Sequence, residues 1–178
     1  MKTRYLVLAL FGVLATAAFA APPVVTVTYV DPDKFTDVKY DYIPNAKERE
    51  HILGELKKYI EERAAKRLPD GSKLDVTVTD VDMAGGFDMP AGASGLWRTR
   101  LVKDIYPPRM NLAFKLTGDD GKTVSEGERK LVDLGFLMGN YSMSSDMLRF
   151  EKKMLDAWIS KEFPGAPKAA ANARAPRP

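Results

Sequence analysis

Leu74-Asp75-Val76-Thr77-Val78-Thr79-Asp80-Val81 is the stretch that decides the fold. Aliphatic and polar side chains alternate along it. Successive strand residues point to opposite faces. Leu74, Val76 and Val78 therefore line a buried face, and Asp75, Thr77 and Thr79 a wet one. A sheet covered on one face only belongs in a two-layer domain.

The preceding segment supplies the second layer. Ile52, Leu53, Leu56, Ile60 and Ala64 recur at helical spacing. Asn45 is placed to cap a helix from Ala46 to about Leu68. Glu48 and Glu50 open this helix and Lys66 and Arg67 close it, as the macrodipole favours. Glu62 and Lys66 are spaced as an i,i+4 pair, and Pro69-Asp70-Gly71 stops the helix. His51, the only histidine, sits early in it and reads as a surface or boundary residue.

Val24-Val25-Thr26-Val27-Thr28-Tyr29 is a first, β-branched strand. Phe35, Tyr40 and Tyr42 are spaced through the polar loop that follows it. Beyond Val81 comes a glycine-rich loop, Ala84 to Gly95. Arg98 to Tyr106 reads as a strand ended by Pro107-Pro108, which cannot donate to a ladder. Asn111 to Leu116 and Thr123 to about Leu134 read as two strands joined by the turn Gly118-Asp119-Asp120-Gly121. Ser144, Ser145 or Asp146 is placed to cap a second helix running to Phe163. Its stripe includes Leu148, Met154, Leu155, Trp158 and Ile159 beside Glu151. The expected fold is α+β, a single two-layer domain over residues 21–163. It has a mixed, mostly antiparallel sheet of about five strands, both helices on one face, and the order β-α-β-β-β-α.

The two ends have different compositions. Lys2 and Arg4, the apolar run Leu6 to Ala17 and the small residues Ala18-Phe19-Ala20 form the pattern of a cleavable signal peptide. The apolar run is shorter than the roughly 20 residues of a bilayer-spanning helix. The expectation is export to the periplasm with cleavage after Ala20 and no membrane span in the mature chain. Position 21 is Ala, so no lipid-bearing Cys stands at the junction. Residues 164–178 are rich in Ala, Pro and basic side chains without periodicity, the composition of a disordered tail.

Charge narrows the partners. Residues 21–163 carry 22 basic and 24 acidic side chains, net −2, so the basicity of the whole chain sits in its ends. A nucleic-acid binder concentrates basic charge in its folded part, so no nucleic-acid partner is expected. Without cysteine there is no disulfide, zinc–thiolate site or thiol nucleophile. The glycine-rich loop lacks the spacing of a phosphate loop or dinucleotide fingerprint, and Gly92-Ala93-Ser94-Gly95 lacks the nucleophile elbow. No cofactor and no metal is expected.

Two groups of residues remain as candidate sites. Asp80 and Asp82 share a strand face and present paired carboxylates, as a cation or an acid–base reaction would need. Ala84 and Ala91 stand where an EF-hand loop needs oxygen ligands. The second group is Trp97, Arg98, Arg100, Tyr106 and Arg109, around Leu101-Val102-Lys103-Asp104-Ile105-Tyr106-Pro107-Pro108-Arg109. Arg recognises carboxylate or phosphate, and Trp and Tyr anchor partners. Glu126 and Glu128 are placed to face the arginines as cross-strand pairs. Asn140-Tyr141-Ser142 matches a glycosylation sequon, a three-residue pattern too short to argue from.

Three segments together resemble a known family: Thr79-Asp80-Val81-Asp82-Met83-Ala84-Gly85, Val102 to Arg109, and Leu148-Arg149-Phe150-Glu151-Lys152-Lys153-Met154-Leu155-Asp156-Ala157-Trp158. From about Val24 to Phe163 the chain resembles the exported proteobacterial family catalogued as domain of unknown function 3016. The resemblance implies a periplasmic address and brings no activity or catalytic residue. The functional expectation is a non-enzymatic binding or accessory module of the cell envelope, whose partner is an envelope protein or a small ligand. The alternative is a hydrolase using paired carboxylates drawn from Asp80, Asp82, Asp104, Glu126 and Glu128, which glycoside hydrolysis would require about 5–9.5 Å apart.

Overall fold

The structure, a computed structural model, describes residues 21–87, 99–139 and 144–165. Its elements are β1 (Val24–Tyr29), α1 (Ala46–Ala65), β2 (Lys73–Asp82), β3 (Arg109–Thr117), β4 (Thr123–Val132) and α2 (Arg149–Glu162), with a short 3-10 turn at Pro32–Lys34. The strands form one sheet in the order β1-β2-β3-β4. β1 runs parallel to β2, and β2–β3 and β3–β4 are antiparallel. The α+β class, the mixed sheet and the β-α-β-β-β-α order are as the sequence predicts.

Alternation fixes the register. Val27, Val76 and Phe114 stand in one row across the sheet, with Gly127 at its end. Tyr29, Val78, Leu112 and Arg129 form the next row. The aliphatic members of these rows, with Leu74, Val81, Met110 and Leu116, make one buried cluster with Ile52, Leu56 and Ile60 of α1 and Met154, Leu155, Trp158 and Ile159 of α2. Both helices therefore cover one sheet face. The Tyr29 hydroxyl donates to Leu53 O at 2.7 Å and ties β1 to α1. Asp156 ties the helices together, accepting from the Tyr59 hydroxyl and Arg63 Nε at 2.8 Å each.

Local details show where side chains override pattern. Asn45 caps α1 as expected, accepting from Lys47 N at 3.0 Å. Glu62 pairs with Lys58 at 4.0 Å rather than with Lys66, which sits at the C-cap. α2 starts later than its candidate caps. Asp146 Oδ1 accepts from Leu148 N at 2.9 Å, and the helix begins at Arg149 with no side-chain cap.

The sheet has four strands among the described residues, not five. Arg98 to Tyr106 is not a strand where it is described, from 99 to 106. Thr99 and Leu101 make only isolated bridges, to Asp41 and Gly86. The backbone then turns, with Tyr106 N donating to Lys103 O at 3.1 Å. The Arg100 side chain fixes this path, as described below. Pro107 and Pro108 are buried and lead into β3.

Candidate functional site

Arg100 clips three loops together. Its Nε and Nη2 donate to Lys39 O at 3.1 and 2.7 Å, and its Nη1 to Met83, Ala84 and Gly85 O at 3.0–3.3 Å. Its Nη2 pairs with Asp37 Oδ2 at 2.7 Å, and the guanidinium lies 4.8 Å from the Phe87 ring centroid. A planar fork with five donors suits this set of acceptors, and Lys cannot replace it. Gly85 is essential to the turn. Its φ is +86°, and a Cβ there would lie 2.7 Å from Leu101 O.

Glu151 holds the same turn from the other side. It is buried on α2, and its Oε1 accepts from Ala84 N at 2.8 Å. Burial pushes its carboxyl up, against the lowering pull of the Ala84 N–H, Arg100 and Arg149. Its Oε2 and Asp37 Oδ1 are buried without a hydrogen-bond partner. Tyr40 lies in the field of this carboxylate. Burial first, then Glu151, Asp146, Glu55 and Glu48, push its phenol up to about 12.

The residues singled out in the sequence fall into this region only in part. Trp97 and Arg98 lie outside the described residues, as do the tail beyond Gly165, the signal segment and the sequon. The Tyr106 carbonyl accepts from Gly85 N at 3.0 Å, and its ring packs on Gly86. Arg109 opens β3 and donates to Asp82 Oδ2 at 3.3 Å from an exposed position. Asp80 accepts from Thr36 N and Oγ1 at 2.8 and 3.0 Å. Asp80 and Asp82 thus share the uncovered sheet face, each with its own partner. Burial raises the Asp82 carboxyl, and Arg109 opposes the shift. Glu126 lies beside Lys115 and Glu128 beside Ala113, not beside the arginines. No cluster of three or more metal-ligating side chains occurs among the described residues, and His51 is exposed on α1.

A second region escaped the sequence reading. The inner face of β4 carries Ser125, Gly127, Arg129 and Leu131, where the central strands carry aliphatic side chains. Arg129 makes a two-pronged ion pair with Glu162 of α2, Nε and Nη2 each at 2.8 Å, and its guanidinium lies 5.0 Å from the Phe114 ring centroid. Gly127 makes room for it, since a Cβ there would lie 2.7 Å from Arg129 Nη1. The helix and strand therefore do not close on each other. Between them runs a groove of about 450 Å³, within the range of ligand sites.

The groove has an apolar floor and a charged rim. Leu131, Met154, Ala157 and Trp158 form the floor. Arg129, Lys130, Lys153 and Lys161 stand around it with Asp133 and Glu162. Lys130 and Lys161 have no ion-pair partner among the described residues. Trp158 is nearly fully buried, stacked edge-on to Phe114 and Phe163, and its indole N–H meets no acceptor. Lys153 ties the groove to the next loop, pairing with Asp133 at 3.0 Å and donating to Gly135 O at 2.9 Å. That loop exposes Leu134 and Met138, 78% and 77% accessible. The one sequence signal for the groove is the polar inner face of β4.

No helix among the described residues is long and apolar enough to cross a membrane. No curated protein and no solved structure matches the chain. The sequence pattern of the family described as Protein of unknown function (DUF3016) matches residues 23–161, which include most of both groove walls and the whole Arg100–Glu151 network. The chain belongs to that family.

Proposed function

We propose that this protein is an exported, periplasmic binding module of the cell envelope, and that it engages its partner through the groove between β4 and α2. The groove carries this reading. It combines an apolar floor with two rim lysines that have no ion-pair partner among the described residues. Export is supported by the charged start, short apolar run and Ala18-Phe19-Ala20 of the sequence. The Arg100–Glu151 network supports the neighbouring turn as scaffold. Asp80 and Asp82, the leading pair for the hydrolase alternative, are held by Thr36 and Arg109.

A photo-crosslinking residue at Ala157, in cells producing the full chain, tests the site. A discrete adduct from position 157 and none from Lys57, on the exposed side of α1, is the expected result. Equal adducts from both positions, or none from 157, would remove the groove as the binding surface. N-terminal sequencing of the periplasmic fraction should begin at Ala21. A chain that keeps Met1 in the cytoplasm would remove the export reading.

A further inference from the structure

Resting on the groove as the binding surface, we infer that its occupant is an extended segment of a partner protein that adds to β4 as a further strand, with apolar side chains facing inward and a carboxylate at the Lys130 end. β4 is ten residues long and pairs only with β3 among the described residues. Such an edge presents a row of backbone donors and acceptors to an incoming strand. A strand placed there lies about 4.8 Å from β4, so its inward side chains fall between Leu131 and the flank of α2 at Ala157 and Lys161. Apolar side chains continue along the chain past the groove: Leu131 lies in the floor, and Val132, Leu134 and Met138 follow as exposed residues, the last two in the loop that Lys153 fastens to the groove. That linear order suits a strand.

Charge sets the polarity of the occupant. The outer side chains of β4 read Glu126, Glu128, Lys130 along the strand. Directly opposed like charges on neighbouring strands are destabilising. Outward acidic side chains of the partner are therefore disfavoured beside Glu126 and Glu128 and favoured beside Lys130, and an inward one is favoured beside Lys161 of α2. The groove rim holds four cations and two acids, in a domain whose described and undescribed residues from 21 to 163 total −2. Local complementarity thus points to an anionic end even though the domain as a whole leans acidic.

The test is selection of random peptides, about 12 residues long so as to span the strand, on the chain purified as cells produce it. The expected consensus alternates apolar side chains and places Asp or Glu at one end only. Synthetic copies should bind with added β-structure by infrared spectroscopy. The Lys130→Glu, Lys161→Glu double variant should weaken them about tenfold or more, and Ala157→Arg should abolish binding by filling the groove. Lys57→Glu should leave binding unchanged. A consensus lacking the alternation or the acidic end, no enriched peptide at all, or binding indifferent to the groove variants would overturn the inference. The two proposals fail separately. If the Ala157 crosslink persists while selection gives no such peptide, the groove stands and the strand occupant falls; if both are lost, both fall.

Discussion

The Glu151 carboxylate accepts the backbone N–H of Ala84 at 2.8 Å, across 67 residues of sequence. The bond joins the first turn of α2 to the turn that ends β2, and the opposite side of that turn is gripped by Arg100. Neither side chain is on the surface. Glu151, read from the sequence beside a helical stripe, and Arg100, read there on a strand, are therefore parts of the scaffold.

Glu151→Gln should stabilise the fold at neutral pH. The folded carboxyl is held above its ordinary value, chiefly by burial. Stability from this group is thus fully present below the unfolded value, about 4.3, and is lost as pH rises through the raised folded one. Gln keeps an acceptor for Ala84 N and never charges. Urea midpoints should show the variant's advantage growing as pH rises above the unfolded value. Glu151→Ala, which orphans the Ala84 N–H, should cost about 1–3 kcal/mol. A Gln variant that loses ground as pH rises would mean that Arg100 and Arg149 outweigh the burial.

Arg100→Lys should cost about 3–5 kcal/mol. The ammonium cannot reach carbonyls of Lys39, Met83, Ala84 and Gly85 together, and the half-buried Asp37 is left without its fork. Hydrogen exchange should rise first at Gly85 and Gly86, whose N–H groups bond to Tyr106 O and Leu101 O. A loss below about 1 kcal/mol, the range of a surface pair, would contradict the clip.

Gly127→Val should act through Arg129. A Cβ at 127 lies 2.7 Å from Arg129 Nη1, so the guanidinium that pairs with Glu162 over the Phe114 face has to shift. The expected loss is about 1–3 kcal/mol. In an Arg129→Ala background the same change should cost much less, because the collision is gone. Additive losses in that cycle would place the strain elsewhere.

How much of this was legible depended on whether a residue's partner is local. Alternation in Leu74–Val81 and the stripe Ile52–Ala64 report burial directly, and the structure buries those side chains. Asn45 reads as a cap because its acceptor role reaches only two residues. Arg98–Tyr106 shows the limit. Its β-prone composition is overruled by Arg100, whose acceptors lie 15 to 17 and 61 residues away. The groove hides for a related reason. Arg129 looks like a solvent charge and Trp158 like plain core, until β4 and α2 are set side by side with Gly127 between Phe114 and the edge.

Trp158 separates packing from binding in one position. Its ring lies 6.2 Å from Phe114 and 5.8 Å from Phe163, both edge-on, so Trp158→Ala should cost about 3–5 kcal/mol. Trp158→Phe keeps a ring in that cluster and removes a buried donor that no protein atom meets. Relief of that donor offsets part of the lost area, and the net change should stay within about 1 kcal/mol. Binding should respond differently. The indole nitrogen is sealed from solvent, so the Phe variant should hold the selected peptides as tightly as the original, whereas the Ala variant should weaken them by opening the floor. Weaker binding by the Phe variant would show that the floor opens and exposes the N–H to the occupant.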